Sequence, residues 1–514
     1  VSVSENLSAR FSRGFLWGHA GKLGIWAFTL LTSVLIANGF GPQIYGLWTA
    51  SFSLGATAML FLSLGLERTI SVYLPRYAGD PSRAGPLVRS LLGLRVLAAF
   101  AAVAFFTIFR THLVHWFGLA EDQAVFTWLG GVSVALANVS VLWKQIFDAQ
   151  IKNRISATVE IVGKIIYLAT AAVIVFSVRS RSGAPPTLAQ LHTALIALYW
   201  CTIAIFALTI LLYTRLGWPL LNAVGPAPEF GPIMRFSFVS WVILFVNYFL
   251  GKHADILLIT KITGRLEETS YYNVAFGLLT TLGLALGAGF SEIGVPILSE
   301  VRTQKGEEKM AETWQMMFKG ILILCFTGVV FVTAHSQEIV DAIYSSAYRP
   351  VGRLLFFYSA FYCVIYLMGG GLNTSILYVL NQERLILLLR LSMGILNLGL
   401  NYFWLIPRYG AMGAVIATGI TSVLVTVWEI TLIGSRITIR YPALFTLKVV
   451  AATVAAAFLS LIIPLRGLPG LIAKGVVYLA TVAALAFLLK PLGDRDRELM
   501  RKAAPWLGWT ARFF

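Results

Sequence analysis

The sequence predicts an all-α polytopic membrane protein of about fourteen transmembrane helices, and three observations carry that expectation. Runs of roughly 20 apolar residues recur along the whole chain, each long enough to cross about 30 Å of hydrocarbon as a helix. Of the 514 residues, 58% are hydrophobic and only 12% are charged, with a mean hydropathy of +0.79. A soluble domain of this length could not hide so much apolar surface. The chain also repeats itself, because residues 235–300 have the character of residues 17–76.

Each copy opens with an apolar run, ending at Leu35-Ile36-Ala37-Asn38 in one and Leu258-Ile259-Thr260-Lys261 in the other. A polar turn with Gly and Tyr follows, Gly41 through Gly46 answering Gly264 through Tyr272, and leads into a helix rich in small residues. Gly65-Leu66-Glu67-Arg68 and Gly289-Phe290-Ser291-Glu292 close the two copies, which matches Arg68 to Glu292. A second pair of segments repeats in the same order. Lys152-Asn153-Arg154 before one apolar run parallels Gln382-Glu383-Arg384 before another, and that offset brings Glu160 onto Arg390. Internal repeats of this kind build many transporters, with the substrate site between the halves.

The spans are expected near 14–38, 45–66, 89–109, 124–146, 155–177, 189–213, 234–258, 271–293, 314–334, 352–378, 385–406, 410–434, 446–465 and 471–490. This divides the chain into an N-terminal lobe (1–216), a Pro-rich linker (217–233), a C-terminal lobe (234–440), and two additional helices with a basic tail (441–514). The longest connections hold about twenty residues, too few for a separate catalytic domain.

The formal charge of +17 follows topology rather than nucleic-acid binding. With both termini cytoplasmic, about 25 of the 40 Lys and Arg fall in inner segments, as the positive-inside rule expects. Clusters such as Arg76, Arg83 and Arg89, or Arg495, Arg497, Arg501 and Lys502, then face the inner leaflet and favour anionic lipids. Cys201, Cys325 and Cys363 all lie inside apolar runs, where core packing explains them. Val1 to Arg13 reads as an amphipathic lead-in to an uncleaved first helix.

Charged and polar side chains inside spans are the functional candidates. Lys22 lies roughly 12 Å into the first helix, so it either faces a watery interior or snorkels to the interface. Glu160 and Lys164 sit four apart and can neutralise one another on one face. Asn247, Lys252, His253 and Asp255 form a polar stripe in the seventh span, open to a coupling role or to plain anchoring. Tyr358, Tyr362 and Tyr366 share one face of the tenth, where they could stack on sugar rings, cover an isoprenoid chain or pack against lipid. His112 and His115 in an outer loop lack a nearby Cys, Asp or Glu to complete a metal site, and no metal or other cofactor is expected.

The segment Asn397-Leu398-Gly399-Leu400-Asn401, followed by Ile406-Pro407-Arg408-Tyr409-Gly410-Ala411 through Thr418, joins two helices by a tight outer turn. Together with Asp255-Ile256-Leu257-Leu258-Ile259 and the Tyr-rich start of the next helix, it resembles the polysaccharide flippase family, the Wzx-like branch of the multidrug, oligosaccharidyl-lipid and polysaccharide exporter superfamily. The resemblance covers roughly residues 10–490 through helix number and repeat order. It implies two pseudo-symmetric six-helix lobes forming a V around a cavity, plus two C-terminal helices. It also implies transfer of an undecaprenyl-pyrophosphate-linked repeat unit of O-antigen, lipopolysaccharide or exopolysaccharide from the inner to the outer leaflet of the bacterial inner membrane. Lys22 and Arg68 match the cations that would hold the pyrophosphate, and the several first-helix arginines of lipid II flippases are missing. A monomer, coupling to an ion or to the membrane potential, and work alongside a polysaccharide polymerase and chain-length proteins complete the expectation.

Two other readings are weighed against it. A drug or cation exporter of the same fold would want deep acidic residues where this chain has Lys22, and a polymerase or glycosyltransferase would have to use Asp494-Arg495-Asp496 in a charged tail. The repeat also pairs Arg68 with Glu292 as a putative inner gate. Exchanging both charges, Arg68→Glu with Glu292→Arg, is expected to restore transport that either single swap abolishes, and a doubly swapped protein as dead as the singles removes the gate.

Overall fold

The computed structural model describes the backbone of residues 3–77, 80–150, 152–180, 186–226, 228–284 and 288–490, and the side chains of these except 3–23, 180 and 282–293. Among the described residues every regular element is helical, and twelve segments are long and apolar enough to cross a membrane. The difference from fourteen has local causes. The spans expected at 14–38 and 45–66 fall in one bent element, and the one expected at 271–293 runs through 285–287, outside the described residues. The chain forms two compact units, the first ending at Asn273 and taking in Asn401–Ala411, the second holding Val274–Leu400 and the chain from Met412.

In the first unit α1 (Val3–Ser63) bends at Gly41, where φ is 77° and Pro42 follows. The helical region is disfavoured for a residue before proline, and only glycine takes this positive φ without strain. After it come α2 (Leu66–Tyr73), α3 (Pro81–Trp116), α4 (Ala124–Ala149), α5 (Asn153–Ser180) and α6 (Leu188–Leu221). Asp80 caps α3 by accepting from Ser82 N at 3.1 Å, and Thr187 and Gln190 form a capping box on α6. The unit core gathers Leu66, Ile70, Leu91, Leu142 and Trp143.

The seventh expected span, 234–258, is not continuous. It breaks into α7 (Phe230–Tyr248) and α8 (Lys252–Thr263) at an extended Gly251, and α9 (Leu266–Leu278) follows a left-handed Gly264 with φ 63°. Gly264 thus does for the second copy what Gly41 does for the first. A broken helix at membrane depth needs protein partners for its freed backbone. The turn between α8 and α9 is closely packed: a Cβ on Gly46 of α1 would lie 1.9 Å from the Leu266 carbonyl oxygen.

The second unit begins with the end of α9 and continues with α10 (Ala288–Ile321), bent at Gly306. α11 (Thr327–Ala334), α12 (Ser336–Ile343), α13 (Pro350–Leu367), α14 (Leu372–Val379) and α15 (Glu383–Leu400) follow. The tenth expected span, 352–378, divides between α13 and α14, where Gly369 and Gly371 take φ of 76° and 84°. A π-helical stretch, Asn401–Leu405, and the short α16 (Ile406–Tyr409) return to the first unit before α17 (Ala411–Gly434), α18 (Ala443–Leu461) and α19 (Gly467–Leu489). α4 ends and α5 begins at the same offset from α14 and α15 that brings Glu160 onto Arg390.

The last two helices are joined to α12 by polar contacts. His335 Nε2 lies 2.8 Å from Ser460 Oγ of α18, and Glu338 Oε2 lies 3.5 Å from His335 Nδ1 and accepts from Lys474 Nζ of α19 at 2.6 Å. His335 sits just past the apolar segment that ends at Ala334. Burial holds its pKa below the ordinary 6.5; Lys474 pushes the same way, and Glu338 partly opposes both. A depressed folded-state pKa means that the unfolded chain binds the proton first, so stability is lost as pH falls below about 6.5. Thermal unfolding in detergent is expected to show a steeper loss of Tm between about pH 6.5 and 5 for wild type than for His335→Gln, the excess slope being this residue's titration.

Candidate functional site

A fully buried charge lies in the third span. Arg95 is roughly 20 Å along α3 from Pro81 and fully buried. Its guanidinium donates to Glu67 Oε1 of α2 through Nη2 and to Asn138 Oδ1 of α4 through Nη1, the latter at 3.3 Å. Arg95 Nε and Glu67 Oε2 are buried with no hydrogen-bond partner among the described residues. Removed from water, a guanidinium is tolerable only when a carboxylate is held against it. A single Arg inside an apolar run is the signal that sequence reading passed over.

Sequence reading also missed a ladder of hydroxyls on α1. Tyr45, Thr49, Ser53 and Thr57 recur every fourth residue and so share one face. Asn273 of α9 donates to Tyr45 Oη at 3.1 Å and to Thr49 Oγ1 at 3.3 Å. Ser53 Oγ is 3.0 Å from His253 Nδ1, and Thr57 bonds the Tyr248 hydroxyl. Beyond this ladder the fully buried Asp255 accepts from the Tyr272 hydroxyl and from Asn401 Nδ2, the latter at 2.8 Å. Glu268 accepts from the backbone N–H of Ala411 at 3.0 Å. Residues 401–411, within the stretch 397–418 whose motifs carry the resemblance, are therefore held at each end by a carboxylate of α8 or α9.

The two ionisable positions matched by the repeat have similar surroundings. In the first unit Glu160 of α5 lies 4.0 Å from Lys144 of α4, which also bonds Asp148 at 2.9 Å, while Lys164 is one turn along. In the second, Arg390 of α15 donates through Nη2 to Glu429 Oε1 of α17 and to Thr374 Oγ1 of α14, both at 3.1 Å. Thr374 itself donates to the same Glu429 oxygen at 2.6 Å. One offset carries both Lys144 onto Thr374 and Glu160 onto Arg390.

The remaining candidates are scattered. Lys22 and Glu292 lie outside the described side chains, and Asp494-Arg495-Asp496 with the basic tail outside the described residues. Arg68 is exposed on α2, Asn247 is exposed near the end of α7, and Lys252 is half-buried at the start of α8. Tyr358 and Tyr366 are buried and Tyr362 is half-buried between them, with ring centroids 5.9 and 6.3 Å apart. His112 and His115, expected in a loop, lie in the last turns of α3, which runs on to Trp116; folding brings Glu121 to 3.2 Å from His115, but no group of three possible metal ligands forms among the described residues.

This architecture is that of a known class of membrane transporter. A structure described as lipid II flippase MurJ in an inward closed conformation superposes with a TM-score of 0.70 at 13% identity, covering 96% of this chain and 99% of that one. An inward-facing multidrug resistance MATE family transporter of the MOP superfamily gives 0.56 at 12% identity over 81% and 94%. A MOP superfamily transporter from Pyrococcus furiosus gives 0.50 at 14% identity over 83% and 95%. Identities this low establish the fold alone. The sequence itself matches the polysaccharide biosynthesis protein family over residues 41–352, and the chain belongs to that family. No curated protein matches it.

Glu67→Ala leaves Arg95 charged, buried and unpaired, and is expected to lower stability by about 3–5 kcal/mol. Glu67→Leu combined with Arg95→Met, which removes both charges, is expected to recover most of that loss. Thermal unfolding of the three proteins in one detergent checks the order.

Proposed function

We propose that this protein is a flippase that carries a lipid-linked oligosaccharide from the inner to the outer leaflet of the bacterial inner membrane by alternating access. The cargo is an undecaprenyl-pyrophosphate-linked repeat unit of O-antigen or exopolysaccharide. Membership of the polysaccharide biosynthesis family, on a chain with a transporter fold, carries the reading.

The physical task is to move a pyrophosphate and several sugars across about 30 Å of hydrocarbon, where a bare charge is prohibitive. A hydrated, cation-lined cavity open to one leaflet at a time would accomplish this while the polyprenyl tail stays in lipid. Lys22 and Arg68 are its proposed pyrophosphate ligands. Asp255, Lys252, Asn247, Glu160, Lys164 and Arg390 are its proposed cavity or coupling groups, driven by an ion gradient or the membrane potential. Both termini lie in the cytoplasm, the sequence-derived lobes 1–216 and 234–440 act as the moving halves, and the two last helices are accessory. The protein works as a monomer among anionic lipids, upstream of a polysaccharide polymerase and chain-length proteins.

The test is to delete the protein in cells carrying its glycan pathway and ask which leaflet holds the lipid-linked glycan. Complete repeat units are expected to accumulate on the cytoplasmic side, relieved by wild type and not by Lys22→Ala or Arg68→Ala. Incomplete glycans would indicate an enzyme instead, and unchanged glycans with altered drug tolerance an exporter.

A further inference from the structure

Arg390 combines two properties that lipid-facing or purely structural charges do not share. On α15, Leu388, Leu391 and Ile395 are strongly exposed and mark the lipid side, whereas Ile386, Leu389 and Asn397 are buried on the other. At 3.6 residues per turn Arg390 falls in the stripe of Ile386 and Asn397, away from lipid. Yet its side chain remains 28% exposed, against 2% for Glu429. The Arg390 side chain is thus only partly covered, on the protein side of its helix. Among the described residues both of its hydrogen bonds leave from Nη2, so Nε and Nη1 are left to donate elsewhere. Glu160, the repeat-related residue, likewise shares a stripe with Lys164 opposite the exposed Val162, Ile165, Val173 and Phe176 and keeps 29% exposure.

We infer that Arg390, Glu429 and Thr374 form a subsite for carbohydrate hydroxyl groups, which reads the glycan of the carried lipid rather than its pyrophosphate; this rests on the flippase reading. The guanidinium is neutralised by Glu429, so the cluster offers no net positive charge to hold a phosphate. A sugar hydroxyl both donates and accepts, and here guanidinium N–H donors stand beside a carboxylate and a threonine hydroxyl. Sites built to hydrogen-bond a hydroxyl discriminate strongly against ligands that lack it, because their polar groups are then left unpaired.

The test uses full-length protein in nanodiscs and two probes, the glycan-bearing lipid that accumulates in cells lacking this protein and bare undecaprenyl pyrophosphate, with binding followed by native mass spectrometry. Thr374→Val is expected to weaken binding of the glycan-bearing lipid by about tenfold, the order of one hydrogen bond to a charged or buried group, while bare undecaprenyl pyrophosphate binds as to wild type; Glu429→Gln, which leaves the Arg390 charge unneutralised, is expected to shift preference by about tenfold from the glycan-bearing lipid towards the bare pyrophosphate. Thr374→Val keeps the Arg390 and Glu429 charge pair and carries the test alone if Glu429→Gln does not fold. Variants that bind both lipids as wild type does, or that lose both equally, overturn the subsite. Wild type that binds neither lipid overturns the flippase reading itself.

Discussion

The Asp255 carboxylate sets the terms for the first unit. It is fully buried, and away from solvent an anion persists only if several donors converge on it. Those donors come from far apart in sequence: the Tyr272 hydroxyl one helix on, and the Asn401 amide at the end of a different half of the chain. Satisfying one carboxylate therefore draws Asn401–Ala411 into the first unit, although the helices on either side of that segment belong to the second. Glu268, accepting from Ala411 N–H, fastens the other end. The π-helical turn at Asn401–Leu405 and the left-handed Gly410 are the backbone irregularities that let the chain leave one unit and return within a few residues.

Similar constraints recur at three other charges held in spans. Arg95 has Glu67 and Asn138, Arg390 has Glu429 and Thr374, and Lys474 has Glu338. Each cluster ties together two or three helices that apolar packing alone would leave free to slide, since lipid is as good a partner as leucine for an apolar side chain. Polar pairing supplies register where the hydrophobic effect cannot.

Much of this was legible in the sequence. The apolar runs gave the membrane class, and the offset between Glu160 and Arg390 is matched by the ends of α4 and α14 and the starts of α5 and α15. What could not be read were helix breaks whose cause is tertiary. Residues 234–258 look like one span because apolar content does not register the bend at Gly251, and Gly369 to Gly371 mark a possible break without saying that the helix stops there. Arg95 and Glu429 were visible as charges in apolar runs but gained meaning only when Glu67 and Arg390 appeared beside them. The hydroxyl ladder escaped because Tyr45, Thr49, Ser53 and Thr57 are each unremarkable in a membrane helix; only their partners on α7, α8 and α9 make them a unit.

That ladder has a mechanical consequence. Its rungs at four successive turns are bonded to side chains from both sides of the break at Gly251, so the part of α1 beyond Gly41 cannot rotate about its axis or shift by one residue without losing every rung together. Bonds lost in concert resist small displacements far better than the same bonds lost singly, and the bent helix is thereby keyed to its neighbours like a toothed rack. Whatever conformational change this protein undergoes, α7, α8 and the start of α9 must travel with α1 as one piece.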